Sequence, residues 1–427
     1  MEYQFHPGMD YAKELDKQDP LREIRHRFYV KENEIYMDGN SLGLCSKDAE
    51  KAVLKALDVW KEHGIGIWNV EDSKYFLYPS YIGKRMASLI HAEPDEVTIT
   101  NSVTINIHQG ISTFYKPTKD RYKILVDNLN FPTDRYAVDS QVRLHGYEPA
   151  DAVKVVESQD GRMLSEDAII DAMTKDVALI VLPSLLYRSA QLLDMERITA
   201  EAHKRDIIIG WDLCHSIGAV YHDFQKIDPD FAVWCNYKYI SGGPGTTAGL
   251  YINKKHFDKN PGLAGWHGNV KATQFQLKHQ YEHSNDADGW LTGTPPILSM
   301  AAIDGVLDIY EEVGMDKIRE KSLKLTAYLM YLIDERLVKL GYRIGNPRED
   351  MKRGGHVSLE HDEAYRICQA LKKHGVIPDF REPNVVRLAP VALYVSYEDI
   401  HRFADILEEL TINKEYEQFS NTRSLVV

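Results

Sequence analysis

Between about residues 95 and 255 the chain alternates short runs of aliphatic and β-branched residues with longer amphipathic stretches. The runs are VTIT (97–100), YKILVD (122–127), ALIVLP (178–183), DIIIGWD (206–212), FAVWCNY (231–237) and AGLYIN (248–253). Continuous apolar runs predict strands covered on both faces, and the helical stretches between them predict parallel crossovers. Only ten residues separate the last two runs, and they include SGGPG (241–245), too short for a helical crossover. That pair is expected to be antiparallel.

Beyond Pro295-Pro296 the period changes. ILSMAAIDGVLDIYEEV and DKIREKSLKLTAYLMYLIDERLVKLG carry apolar residues at helical spacing, the second closed by Gly341, and predict a long helix linking two domains. HVSLE (356–360), a helix near 362–373 stopped by Gly375, VIPDF (376–380) and NVVRLA (384–389) read as a small β-α-β-β unit. The tail from about Thr411 is polar and is expected to fray. At the other end Asp19 and Pro20 are placed to open a helix at Leu21. The expected organisation is an N-terminal arm (1–35) packing with the small domain, a large α/β domain with a mostly parallel sheet (36–300), and a smaller α+β domain (301–427).

Composition narrows the function. The 427 residues are 44% hydrophobic and 27% charged, near globular averages, which excludes wholesale disorder. With 51 Lys+Arg against 64 Asp+Glu the net charge is −13, and no basic block interrupts it, which argues against nucleic-acid binding. Four cysteines form no CxxC pair, which fits a reducing compartment, and no window is long and apolar enough for a membrane span or signal peptide. A soluble cytoplasmic protein is expected.

In open α/β sheets ligands sit at the carboxyl ends of strands, so the residues following each run are the candidates. VTIT leads into Asn101-Ser102-Val103-Thr104 and then a helical pattern, which places hydroxyls and free backbone N–H groups where an anion binds. YKILVD runs into a loop holding Phe131 and Asp134, and DIIIGWD ends with Asp212, followed by His215. FAVWCNY leads into Lys238; a lysine there cannot easily reach water, and desolvation favours the neutral, nucleophilic amine. Each has an ordinary alternative: hydroxyl and carboxylate caps, or a snorkelling lysine. Together they supply an anion cradle, a stacking ring, a carboxylate for a ring nitrogen and an amine for an aldehyde, which is the set pyridoxal phosphate requires. One other motif, His279-Gln-Tyr-Glu282-His283, matches a zinc-peptidase pattern, but SNDADG follows at once and offers no third ligand.

The motifs GNSLGL (39–44), FPTD (131–134), Asp212-x-x-His215, NYKY (236–239), GLAGW (262–266), TPPIL (294–298) and VRLAP-x-ALY (386–394) occur in the order seen in kynureninases, and the chain resembles that family over nearly its whole length. Kynureninases are fold-type I pyridoxal-phosphate enzymes of the aminotransferase class V superfamily. The resemblance implies that Lys238 carries the cofactor as a Schiff base, that Asp212 partners the pyridinium, and that Phe131 stacks on the ring with Asp134 and His215 nearby. It assigns Val103, Thr104 and Tyr237 to the phosphate cradle, with Tyr237 also among the catalytic residues. Trp266 and Thr294 are assigned to reach the phosphate from a neighbouring subunit, so a homodimer with shared active sites is implied. Arg387 is the expected clamp for the substrate α-carboxylate, and Ser41, His63 and His267 are expected near the aryl ketone. Two positions depart from the family pattern, Pro183 and His267. The implied reaction is hydrolysis of the Cβ–Cγ bond of L-kynurenine, or its 3-hydroxy form, to anthranilate, or 3-hydroxyanthranilate, and L-alanine in tryptophan catabolism. A cysteine desulfurase is the main alternative, but it needs a nucleophilic Cys in a mobile loop, and Cys368 falls in a predicted helix.

Overall fold

A computed structural model describes residues 3–422. Strand β1 (Ile35–Tyr36) lies apart from the main sheet, which is built from β2 (Val97–Ile99), β3 (Lys123–Asp127), β4 (Val153–Val156), β5 (Val177–Pro183), β6 (Ile208–Asp212), β7 (Phe231–Trp234) and β8 (Gly249–Ile252). Their spatial order is β2-β8-β7-β6-β5-β3-β4. Every neighbouring pair is parallel except those made by β8, which runs antiparallel to both β7 and β2. The expected antiparallel pair is therefore present, and the fold class is the one expected. Five of the six predicted runs are trimmed at their ends, FAVWCNY because Asn236 and Tyr237 bend away from the ladder ahead of Lys238, while ALIVLP gains Val177. Strand β4 has only two buried positions in four at the sheet edge, a pattern too weak to predict.

Alternation within each strand divides the core into two layers. Ile124, Val126, Leu179 and Val181 join Ile107, Ile111, Val138 and Val142 of two helices in one cluster. Leu125, Ile180, Leu182 and Trp211 face the other cluster, with Ile198, Ala202, Ile303 and Val306 from helices on the opposite side. Burying both faces is what makes each strand read as a continuous apolar run.

The second sheet holds β9 (Arg343–Ile344), β10 (Val357–Glu360), β12 (Asp379–Arg381) and β13 (Val385–Leu388), ordered β12-β13-β10-β9 and antiparallel throughout; β11 (Val376–Ile377) pairs in parallel with β1. Four expectations need correction here. VIPDF is two strands, because Pro378 cannot donate to a ladder and the chain switches sheets at it. The linking helix is two helices, Ile297–Val313 and Met315–Leu332, broken at Gly314, whose φ of 82° is left-handed. The segment opened at Leu21 is a 3-10 helix, Arg22–Arg27, preceded by an α-helix at Met9–Gln18. The tail does not begin at Thr411, since helix Tyr397–Ile412 includes it and a 3-10 turn follows at Glu415–Gln418. Beyond residue 422 the tail lies outside the described residues.

The N-terminal helix is held by chemistry at a helix terminus. Asp16 accepts hydrogen bonds from the backbone N–H groups of Tyr397 (2.8 Å) and Glu398 (2.9 Å), and Lys321 pairs with Asp19 at 2.6 Å. A carboxylate at a helix N-terminus meets both the free donors and the positive end of the dipole.

Candidate active site

The carboxyl ends of β2, β3, β5, β6 and β7 open on one cavity of about 360 Å³, closed on its far side by Arg381 and Arg387 of the second sheet and by the loop at Asn40 and Ser41. Two helices start at its edge. Helix Val103–Phe114 has Ser102 as its N-cap and helix Pro132–Leu144 has Phe131, and neither cap side chain bonds the first turn. Thr104 and Thr133, near the two starts, are joined hydroxyl to hydroxyl at 2.8 Å. Uncapped N–H groups facing a cavity form an anion site.

Asp212 ends β6 and Asp134 lies in the first turn of the second helix; both are buried in the cavity wall. Burial raises both carboxyl pKa values above the usual range, and for Asp134 the neighbouring Asp212 charge adds to it. Asp212 Oδ1 accepts from the Cys214 N–H at 2.7 Å, and Asp134 Oδ2 from Asn130 at 2.7 Å, while Asp134 Oδ1 has no partner. Lys238 Nζ lies 2.8 Å from His215 Nε2, and burial together with the Lys238 charge holds that imidazole neutral, its pKa well below the usual value. His215 Nδ1 is buried without a partner. Phe131 projects into the cavity edge-on to Tyr187, ring centroids 5.6 Å apart.

Arg387 is fully buried in β13, directly opposite Asp379 of β12 and Ser358 of β10. It donates to the Tyr187 carbonyl and the Ser41 hydroxyl, each at 2.8 Å, and pairs with Asp379, while its Nε has no partner. Ser41, Val103, Thr104, Phe131, Asp134, Asp212, His215, Tyr237, Lys238 and Arg387 are thus brought together by one chain.

Four expected site residues are not among them. His63 ends helix Lys47–His63 on the surface, Thr294 is exposed, and Trp266 is 39% exposed, packed edge-on against Phe275. His267 is enclosed, with Nε2 3.1 Å from the Phe76 carbonyl and its ring against Phe76, so it does not face this chain's cavity. Asn40, Tyr187, Thr246 and Arg381 line the cavity and were missed. Tyr187 lies beyond the end of β5, and applying the strand-end rule to that strand would have found it.

A matching family domain covers residues 318–407, the kynureninase C-terminal domain. The chain is 52% identical over 420 residues to a kynureninase from Geobacillus thermodenitrificans, covering 98% of each protein. The chain belongs to the kynureninase family. It is also 54% identical over 422 residues to a kynureninase from Bacillus cereus, with 99% of both covered, and 48% identical to one from Shouchella clausii, with 98% and 97% covered. Solved structures share the fold at lower identity. A C-DES mutant with glycine covalently linked to its PLP cofactor aligns with TM-score 0.78, 16% identity and 90% and 99% coverage. A cysteine desulfurase from Thermococcus onnurineus NA1 aligns with TM-score 0.76, 18% identity and 92% and 98% coverage.

The competing motifs are placed elsewhere by the fold. Cys368 is fully buried in helix Ala364–Lys373 with its Sγ against the Asp379 carbonyl at 3.8 Å, where it has no route to a substrate. The segment with His279 and His283 is irregular, and His283 forms an isolated bridge with Asn269, so the two histidines share no helical face.

Proposed function

We propose that the protein hydrolyses the Cβ–Cγ bond of L-kynurenine, with pyridoxal phosphate held at the sheet edge, giving anthranilate and L-alanine. The observation that carries this is the convergence of Lys238, Asp212, an uncapped helix terminus and Arg387 on one cavity, in a chain 52% identical to a kynureninase. The residues fit the cofactor on their own chemistry. The N–H groups of Val103 and Thr104 would hold the phosphate, Asp212 the ring nitrogen, Phe131 the ring face and Lys238 the aldehyde. Asp134 Oδ1 and His215 Nδ1, buried without partners, mark polar positions that this chain leaves unsatisfied. Bound there, the pyridinium ring supplies an electron sink for charge developing at the substrate α-carbon.

The chain's own residues then divide the work. Arg387, its guanidinium fixed on three sides, orients the α-carboxylate. Lys238 Nζ removes the α-proton and returns it, and the neutral His215 at 2.8 Å directs that amine without adding a second charge. Tyr237, whose ring centroid is 5.9 Å from Lys238 Nζ, keeps its proton because burial raises its pKa, and serves as a donor beside the reacting carbons. Ser41, on the Arg387 side, faces the substrate's ketone end.

We further propose a cytoplasmic homodimer in which Trp266, Thr294 and His63 serve the partner's site, with the enclosed His267 supporting Trp266 from behind. Apolar exposure supports it: Ile65 is 82% and Phe275 68% exposed, and a groove of about 530 Å³ is lined by Trp60, Ile65, Trp68 and Leu298. Four free thiols, with Cys235 Sγ only 3.9 Å from the Cys214 carbonyl, fit a reducing compartment. Among the described residues no helix is long and apolar enough to cross a membrane. The deciding assay mixes purified holoenzyme with L-kynurenine and measures anthranilate fluorescence and alanine. Equimolar appearance of both is expected; sulfide release from cysteine without anthranilate would replace this reading with a desulfurase.

A further inference from the structure

Beneath Arg387 the structure gathers two acids and two guanidiniums in one knot, Asp379 and Arg387 buried and Asp38 and Arg381 half-buried. Asp379 Oδ2 is 2.9 Å from Arg381 Nε and pairs also with Arg387 Nη2. Asp38, on the loop leading to Ser41, lies close enough to feel the charges of the same two guanidiniums and of Asp379. Asp38 Oδ1, both amide atoms of Asn40 and Arg387 Nε are buried there without hydrogen-bond partners, and Asp379 Oδ2 and Arg381 Nε meet as an ion pair without hydrogen-bond geometry. The Ser41 hydroxyl joins the knot to the cavity, accepting from Arg387 at 2.8 Å and bonding toward Asp38. The other titratable groups on Asp38 are Tyr36 of β1, Tyr239 after the Lys238 turn and Cys368 of the helix behind, all of them raised by burial and so uncharged at neutral pH.

With both carboxylates ionised, two negative charges balance two positive ones. A ligand carboxylate docking on Arg387 competes with Asp379 and brings a third negative charge into a site where unbalanced charge is strongly disfavoured. Resting on the kynurenine reading for the ligand's identity, we propose that docking of the substrate α-carboxylate on Arg387 is coupled to uptake of one proton by Asp38. Asp38 is the acceptor because its side chain is held by the Ser41 hydroxyl, whereas Asp379 is ion-paired to both arginines and is the costlier of the two to neutralise. Burial and Asp379 raise the Asp38 pKa to about 6, so at neutral pH the proton is mostly absent before the ligand arrives. His215 and His356 also feel the Arg387 charge, but both are held neutral by burial and lie among cations, which makes them poorer sites for a further positive charge.

The probe is 4-(2-aminophenyl)-4-oxobutanoate, which keeps the carboxylate and the aryl ketone and lacks the α-amine, so no proton moves through amine chemistry. Its binding to the holoenzyme is followed by calorimetry at pH 7.5 in two buffers of different ionisation enthalpy. Close to one proton taken up per ligand is expected, with affinity falling by up to ~10-fold per pH unit above the Asp38 pKa. Asp38→Asn carries its neutrality permanently, and should bind with near-zero uptake and at least ~10-fold tighter than wild type at pH 8. Wild-type binding without proton uptake, no binding at all, or uptake that persists in Asp38→Asn and so belongs to another group, each overturns the proposal. The wild-type measurement decides even if the variant does not fold. Binding with uptake in a protein that does not turn over kynurenine would leave the coupling standing and remove the kynurenine reading instead.

Discussion

At the residue scale the site depends on charges that are costly to bury and have been paired. Arg387 is fully buried, and its proposed role is to offer a planar fork to a carboxylate. Arg387→Leu removes that fork and leaves the substrate carboxylate with no partner in a dry site. The expected loss is about 2–5 kcal/mol in kcat/KM for kynurenine. Steady-state kinetics test this, and unchanged constants would move the carboxylate elsewhere. His222 poses a different question, because it belongs to no ligand contact. Its Nε2 lies 2.8 Å from Ser216 Oγ, which is 2.7 Å from Ser184 Oγ, and Ser184 N and Oγ both donate to the Asp212 carbonyl. Complete burial lowers the His222 pKa from 6.5 to about 3. Between those two values the unfolded chain binds a proton that the folded chain does not, so stability falls as pH drops through this window, by up to ~1.4 kcal/mol per pH unit. Asp38 and Asp127, raised to about 6, act with the opposite sign, gaining stability as pH falls from 6 towards the unfolded carboxyl value. The difference between wild type and His222→Gln isolates the histidine. Denaturant melts at pH 7.5 and 5 should show the variant losing less stability on acidification than wild type does.

At the element scale the same patterns that disclosed the strands also limited what could be read. Continuous apolar runs revealed β3, β5, β6, β7 and β8, because two helical layers bury both faces of each. The runs overshot where the site begins. Asn236 to Lys238 are buried or half-buried and include an aromatic residue, so they resemble strand, yet the chain turns there to aim Lys238 at His215. Arg381 and Asp379 escaped attention because their meaning lies in cross-strand register, Asp379 facing Arg387 across the β12-β13 ladder, and register is fixed by tertiary pairing rather than by local pattern. Close helix packing was equally invisible. Gly305 lies where helix Ile297–Val313 crosses helix Lys47–His63, and a Cβ there would collide with the Asp48 carbonyl oxygen. Gly305→Ala must push the two helices apart, against a gain in helix propensity of about 1 kcal/mol. The net effect expected is destabilisation of about 1–3 kcal/mol, seen as a lowered Tm by calorimetry. A Tm at or above wild type would show that the crossing is looser than its contacts indicate.

At the scale of the whole molecule, one chain brings Lys238, Asp134, Asp212 and Arg387 to one cavity, but leaves Trp266 and Thr294 at the surface, away from it. The exposed indole packed against Phe275 and the apolar groove lined by Trp60, Ile65, Trp68 and Leu298 are the surfaces that the proposed second copy would cover. If a second copy covers it, each site is made of two chains, and the two halves can be damaged separately. Lys238→Ala should abolish kynurenine turnover, by about 10³-fold or more, through loss of the amine. A Trp266→Ala, Thr294→Ala double variant should lose most activity through weakened cofactor retention, with its own Lys238 intact. When the two inactive proteins are mixed under mild denaturant and allowed to reassociate, half of the dimers are mixed, and each mixed dimer holds one site free of both defects. About a quarter of the wild-type activity should therefore return, a recovery that only an isologous, shared-site dimer produces. Sedimentation shows whether dimers form at all. If mixed dimers form and activity does not return, Trp266 and Thr294 serve the site of their own chain, and the dimer, though real, does not share its chemistry.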